Sequence, residues 1–126
     1  GFGPLKMNPV PERPVPILIG GHAAPALKRA ARLGDGWISA NSDYESLSKL
    51  IAELNGYRKE FGTAHRKDFE IHVIDSNARS AADFQRLEAL GATEAALIAW
   101  GPEVRDRQAQ LDAIKRFGDE VVAKFR

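Results

Sequence analysis

Four short apolar segments alternate with longer amphipathic segments along most of the chain. The short segments have the length and apolar content of buried β-strands, and the longer ones carry apolar residues three or four positions apart, as helices do. Strands are predicted over residues 16–19, 37–40, 69–74 and 95–100, with a helix after each, the last over residues 103–125. Because strand–helix–strand crossovers are right-handed, we expect the strands to be parallel. The predicted fold class is therefore α/β, with four consecutive βα units. The first and last strands are continuously apolar, so both of their faces are expected to be covered.

Capping residues indicate where the helices begin. Pro25 suits the first turn of the first helix. Ser42 with Glu45, and Ser80 with Asp83, have the capping-box spacing, in which side chains and backbone N–H groups three residues apart satisfy each other. In the last helix, five apolar positions are expected to contact the core: Val104, Leu111, Ile114, Val121 and Phe125.

Composition and charge argue against several classes of protein. The formal net charge is +1, and the chain has no basic run with interleaved aromatic residues, so no nucleic-acid partner is expected. No apolar run approaches the length of a transmembrane helix, so no membrane partner is expected either. The lack of cysteine excludes disulfides and thiolate metal sites, and it fits a cytoplasmic location.

Length and proline content bear on the domain organisation. Four prolines among the first 15 residues predict an extended lead-in over residues 1–15, and residues 16–126 are predicted to form one (βα)4 domain. A chain of 126 residues is too short for a complete eight-stranded barrel. Because the chain begins with Gly1 rather than methionine, a fragment of a longer protein is one expectation.

A Gly-Gly turn after the first strand is the strongest candidate for a functional site. In parallel α/β folds, ligands bind at the carboxyl ends of the strands, where Gly20, Gly21, His22 and Ala23 are predicted to lie. The next helix directs its N-terminal N–H groups at the same point, which suits an anion. A turn that needs glycine only for steric reasons is the alternative. His22 is the one titratable side chain there, and histidine changes its charge near neutral pH.

Residues after the later strands are predicted to form a rim at the same edge. Ser39, Ala40 and Asn41 follow the second strand and are the candidates for a substrate rim. Two further sets follow the third and fourth strands: Asp75, Ser76 and Asn77, and Gly101, Pro102 and Glu103. No catalytic acid, base or nucleophile can be assigned from a motif, and three scattered histidines do not predict a metal site.

The Gly-Asp-Gly-Trp motif at residues 34–37 is predicted to be structural. It lies at the amino end of the second strand, away from the expected binding edge. Asp35 is expected to bond nearby backbone in the tight turn, and Trp37 is expected to pack in the core.

Three segments together resemble the luciferase-like monooxygenase family, the flavin- and deazaflavin-dependent oxidoreductases. They are Pro16–Gly21, the Ala/Arg-rich helix Ala26–Leu33, and Gly34–Trp37. The resemblance is specific over the 22 residues from Pro16 to Trp37 and weaker towards the C-terminus. It implies the C-terminal half of a (β/α)8 TIM barrel, because family members are complete barrels of about twice this length.

The resemblance also implies a cofactor and its site. Gly20, Gly21, His22 and Ala23 would hold the phosphate end of FMN or of the deazaflavin coenzyme F-420, with the rim at residues 39–41 facing a small organic substrate. The Ala/Arg-rich helix slightly favours the deazaflavin branch. Monooxygenase or other oxidoreductase activity would need the missing N-terminal half-barrel, so the chain alone is expected to be inactive.

The sequence is also compatible with two alternatives. The chain could be a non-enzymatic half-barrel that forms a homodimer through its open strand edges. It could also be a small doubly wound sheet that binds a phosphate ligand at the same turn. Strand order distinguishes these architectures, because a half-barrel keeps sequential order and a doubly wound sheet reverses it.

Overall fold

The computed structural model describes residue 3 and residues 8–40, 42–74 and 77–125. Strands and helices alternate along the chain. The strands are β1 (Leu18–Gly20), β2 (Gly36–Ala40), β3 (Glu70–Ile74) and β4 (Glu94–Ala96). The helices are α1 (Ala24–Leu33), α2 (Tyr44–Glu60), α3 (Ala81–Leu90) and α4 (Arg107–Glu120), and a 3₁₀ helix follows over Val122–Phe125.

The four strands form one parallel sheet in the order β1-β2-β3-β4. This confirms the predicted α/β class with four βα units. The sequential order also shows that the doubly wound alternative is wrong, because no strand lies on the far side of β1 in this sheet.

The core lies between one face of the sheet and the helices. Trp37 and Val73 point into this layer and are almost completely buried, together with Leu27 of α1 and Leu47 and Leu54 of α2. Alternation along the strands sends the intervening side chains to the other face. There Ile38 and His72 are only half-buried, and Ala40 and Ile74 are exposed. We call this second side the open face of the sheet.

The open face corrects one prediction about the strands. β1 and β4 were expected to be covered on both faces, yet no residue of either strand is buried. β4 also ends at Ala96, so residues 97–100 lie outside the strand that was predicted to contain them. Apolar residues in these segments therefore indicate surfaces that the described part of the chain does not cover.

The last helix also departs from its prediction. α4 begins at Arg107 and contains no buried residue. Of the predicted core positions, Val121 is buried, whereas Leu111, Ile114 and Phe125 are 44–50% exposed. The prediction of core contacts at these three residues is wrong, because α4 and the 3₁₀ helix that follows it make few contacts with the sheet and the other helices in the described part of the chain.

One predicted cap is confirmed and one is wrong. Ser80 and Asp83 form a complete capping box at α3. At α2 the capping residue is Asp43, whose carboxylate accepts the N–H of Ser46 at 2.8 Å. Ser42 instead turns its hydroxyl inward and is buried.

The turn before β2 is structural, as predicted. The Asp35 carboxylate accepts the N–H of Ile17 at 2.9 Å and a guanidinium N–H of Arg66 at 2.8 Å. These two bonds, the backbone one first, hold the pKa of Asp35 below its usual value. Gly36 follows in tight contact with β3, since a Cβ there would lie 2.6 Å from the carbonyl oxygen of Glu70. The corner thus ties β1, β2 and β3 together at their amino ends.

Candidate functional site

The turn at Gly20–Ala23 leaves the carboxyl end of β1 and leads into α1. Gly21 has φ +117°, a conformation that L-residues rarely adopt, and a Cβ there would lie 2.9 Å from the Cβ of Ala26. The indole N–H of Trp37 donates to the carbonyl oxygen of Gly21 at 2.9 Å. The turn therefore needs glycine for both conformation and space, and a fully buried side chain of β2 anchors it.

The N-terminus of α1 carries no side-chain cap. Ala23 occupies the N-cap position, the first turn holds no acidic residue, and Pro25 supplies no N–H. Among the residues that the structure describes, the N–H groups of His22, Ala23 and Ala24 donate to no protein acceptor. The other three helices begin with side-chain caps, at Asp43, Ser80 and Asp106. The positive end of the α1 dipole is thus left uncompensated at this turn.

A short chain of hydrogen bonds connects His22 to the interior. Its Nε2 lies 3.0 Å from the hydroxyl oxygen of Ser39, which lies 3.1 Å from the hydroxyl oxygen of Ser42. Ser39 is completely inaccessible to solvent and Ser42 is 6% exposed, whereas His22 itself is exposed. The imidazole also lies beside the Trp37 ring, with 6.2 Å between centroids. The orientation of His22 is therefore set by buried groups of β2 and the segment that follows it.

Two shallow hollows meet at His22. One, of about 390 Å³, lies towards the open face of the sheet, with Ile38, Ala40 and Ile74 in its wall. The other, of about 420 Å³, lies towards the start of α2 and includes Lys49. The Lys49 ammonium is paired with Glu45 at 2.7 Å. His22 thus borders an apolar surface on one side and a charged one on the other.

A larger cleft of about 560 Å³ lies further along the same edge of the sheet. It is lined by Ser42 and Asp43 before α2, by Asn77 and Arg79 before α3, and by residues after β4 that include Trp100. The guanidinium of Arg79 donates to the carbonyl oxygen of Ala78 at 2.7 Å. The carboxyl ends of the strands therefore form one continuous recessed edge with the turn at its β1 end.

The predicted rim residues lie in different surroundings. Ala40 is exposed and borders the hollow on the open face. The side chain of Ser39 points into the helix layer and reaches the site only through His22. Asn41, Asp75 and Ser76 lie outside the described residues.

The remaining histidines bond to neighbouring groups. His72 Nε2 lies 2.8 Å from a carboxylate oxygen of Glu70, and His65 Nδ1 lies 2.8 Å from the carbonyl oxygen of Gly62. No group of three or more potential metal ligands occurs among the described residues. No helix within the described ranges has the length and apolarity needed to cross a membrane.

Sequence reasoning missed two contacts of the site. Trp37 was predicted only to pack in the core, yet its indole holds the carbonyl of Gly21. Ser39 was predicted to lie on the rim, yet its side chain is buried and its hydroxyl is hydrogen-bonded to Nε2 of His22. Strand alternation contained part of the signal, because it places Ser39 on the buried face that carries Trp37. The link to a turn 17 residues earlier requires the tertiary structure.

Comparisons with known proteins add relatives and a fold. No protein-family model matches the chain. Three curated proteins, one from Mycobacterium bovis and two from strains of Mycobacterium tuberculosis, are each 38% identical over 124 residues, and each is named only as an uncharacterized protein. The alignment covers 94% of this chain and 42% of each relative. The chain therefore spans less than half the length of the curated relatives it matches.

A solved structure shares the fold. The coenzyme F-420 dependent tetrahydromethanopterin reductase from Methanopyrus kandleri matches with a TM-score of 0.63 and 11% sequence identity. The match covers 89% of this chain and 51% of that chain. The four βα units of this chain thus match about half of that reductase. At this identity the likeness shows the fold and not the activity.

Proposed function

We propose that the chain is the C-terminal half of a luciferase-like oxidoreductase barrel, and that the turn Gly20–Ala23 binds the phosphate of a flavin or deazaflavin cofactor. The observation that carries this proposal is the uncapped N-terminus of α1, with free N–H groups beside a glycine turn at the carboxyl edge of the sheet. Backbone N–H groups and the helix dipole at such a point favour an anion.

The residues of the turn suit a phosphate group. The first turn of α1 has no carboxylate that would repel an anion. Because Gly21 has no side chain, a ligand can approach the backbone of the turn closely. The hydrogen bond from Trp37 holds the turn in place in the chain without ligand. His22 adds a side chain that can donate to a phosphate oxygen when it is protonated. The bound cofactor would supply hydride transfer or oxygen activation, and these residues would bind and orient it.

Support for a deazaflavin comes from the fold neighbour. The reductase from Methanopyrus kandleri is named as dependent on coenzyme F-420, and this chain matches half of it. The Ala/Arg-rich helix after the turn points the same way. Coenzyme F-420 is therefore the preferred cofactor, and FMN is the alternative.

The open face of the sheet supports the half-barrel part of the proposal. Ile38, Ala40 and Ile74 form an apolar surface there, which in a complete barrel would face the opposite strands. The curated relatives are more than twice as long as the aligned segment, which leaves enough chain for a second half. The site is then incomplete in the 126-residue chain, and we expect weak cofactor binding and no turnover.

Binding at the turn is tested by NMR titration of the ¹⁵N-labelled chain with FMN, coenzyme F-420 and riboflavin. Riboflavin is the matched control because it is FMN without the phosphate. We expect FMN and coenzyme F-420 to shift the amide signals of Gly20–Ala23 and Ala24, and riboflavin to leave them in place. Shifts confined to the cleft around Arg79, or the same shifts with riboflavin, would contradict the proposal. Submicromolar binding by a monomer would contradict the incompleteness of the site.

A homodimer of half-barrels is a second candidate, and the same open face favours it. Two copies could cover each other's exposed apolar residues without any other chain. Sedimentation equilibrium separates the two candidates. A folded monomer at all concentrations argues against the homodimer, whereas a stable dimer that does not bind either cofactor argues against the oxidoreductase half.

A further inference from the structure

We infer that Ser39 and Ser42 are positioning residues that fix His22 in the tautomer with its proton on Nε2, leaving Nδ1 as the nitrogen that meets the ligand. The contact between Nδ1 and a ligand rests on the proposed phosphate-binding function of the turn. The tautomer itself is a property of the chain without ligand.

The direction of the hydrogen bonds follows from counting protons. Each serine hydroxyl has one proton to donate. The Ser42 hydroxyl is oriented to donate to the carbonyl oxygen of Ala40, at a long 3.5 Å. Ser39 then donates to Ser42 at 3.1 Å, and the Ser39 oxygen accepts from Nε2–H of His22 at 3.0 Å. This arrangement forms three hydrogen bonds, and the reverse arrangement forms two because Ser42 then donates to Ser39 instead of Ala40.

Burial makes this difference important. Ser39 is fully buried and Ser42 nearly so, and they are the two buried polar residues among those that the structure describes. The reverse arrangement still uses both hydroxyl protons, but it gives up the bond from Ser42 to the carbonyl oxygen of Ala40, and water cannot readily replace a bond made by a nearly buried hydroxyl. The network is therefore expected to hold a single direction.

The same direction of hydrogen bonding also suits the binding of an anion at the turn. Imidazolium carries a proton on both nitrogens, so a protonated His22 keeps its bond to Ser39 without any rearrangement. Among the described residues, Nδ1 has no hydrogen-bond partner. An anion at the turn can therefore be met by Nδ1–H once a proton is taken up from solvent. The reverse direction would make Nε2 an acceptor, and protonation would break the bond to Ser39.

Among the described residues, other charged groups near His22 lie at the start of α2. Asp43 and Lys49 line the hollow on that side, with Asp43 engaged by the N–H of Ser46 and Lys49 paired with Glu45. Of the described residues that line the hollow on the open face, His22 is the one with an ionisable side chain. Among the described residues, the imidazole thus bonds to one group, the neutral hydroxyl of Ser39, and this hydroxyl determines its tautomer.

Long-range ¹H–¹⁵N NMR of the histidine rings tests the tautomer directly, and the chain contains its own controls. The His65 Nδ1 faces a carbonyl oxygen, which only accepts, so this ring must carry its proton on Nδ1. The His72 Nε2 faces a carboxylate and must carry its proton there. We expect the neutral form of His22 to give the pattern of His72. The pattern of His65, or an even mixture, would overturn the inference.

Two variants separate positioning from folding. Ser39→Ala removes the acceptor, and Ser42→Ala removes the group that sets the direction of the Ser39 hydroxyl. Both are expected to give mixed tautomers at His22 with unchanged patterns at His65 and His72. Affinity for FMN is expected to fall roughly three- to tenfold in each, the range of one hydrogen bond, with riboflavin unaffected. Variants that keep the Nε2–H tautomer would overturn the inference. If wild-type chain shows this tautomer but binds no phosphate-bearing cofactor, the proposed function fails and the positioning role stands.

Discussion

Replacing Gly21 with alanine should destabilise the chain through two separable effects. The residue has φ +117°, and holding an L-residue in such a conformation costs about 1–2 kcal/mol. The new Cβ would also lie 2.9 Å from the Cβ of Ala26, so the turn and α1 must move apart. Overpacking of this kind costs about 1–3 kcal/mol. We therefore expect Gly21→Ala to lower the free energy of unfolding by about 2–5 kcal/mol.

Gly91→Ala is the matched control. Gly91 has φ +102° at the end of α3, and a Cβ there would meet nothing within 4 Å, so this variant carries the conformational cost alone. Urea unfolding followed by circular dichroism gives both free energies, and Gly21→Ala should be the larger loss by about 1–3 kcal/mol. Adding Ala26→Gly should recover most of that difference in a double-mutant cycle. Equal losses in the two single variants, or no coupling to Ala26, would refute the steric account of the turn.

Two further predictions concern the fold that carries the site. Gly36→Ala should lower the free energy of unfolding by about 3 kcal/mol or more, at the upper end of overpacking costs, since its Cβ would lie 2.6 Å from a carbonyl oxygen of β3. Gly56→Ala, at an exposed position of α2, should instead stabilise the chain by about 0.5–1 kcal/mol in the same urea assay. Because the pKa of Asp35 is lowered in the folded chain, its stabilisation is complete above the unfolded pKa of about 4 and is lost as the pH falls through the folded pKa. The urea midpoint of wild type should therefore fall below pH 4 more steeply than that of Asp35→Asn, and parallel profiles would contradict this.

The order of the elements could be predicted because it depends on local patterns. Apolar runs and helical spacing predicted all four βα units, and the right-handedness of strand–helix–strand crossovers predicted parallel strands. The structure has both features. What those patterns do not encode is whether an apolar residue has a partner. Leu111 and Ile114 are as apolar as core residues, yet each is about half exposed, because the described chain provides no surface for that face of α4.

The candidate site was located from sequence at the level of the backbone but not of the side chains. The glycine turn and the helix start are local features, and the structure places them at the predicted edge of the sheet. Ser42 and Asp43 are adjacent and both are good capping residues, so local rules cannot choose between them. The hydrogen bond between Ser42 and Ser39 decides the choice, because it uses the serine hydroxyl and leaves the cap to Asp43. The contacts of His22 depend on the same tertiary pairing.

A crystal structure of the 126-residue chain with coenzyme F-420 would show whether the turn Gly20–Ala23 binds the cofactor phosphate. We expect the cofactor phosphate to lie within hydrogen-bonding distance of the N–H groups of Ala23 and Ala24, with Nδ1 of His22 directed at a phosphate oxygen. A phosphate bound in the cleft beside Arg79, with the N-terminus of α1 solvated, would contradict it.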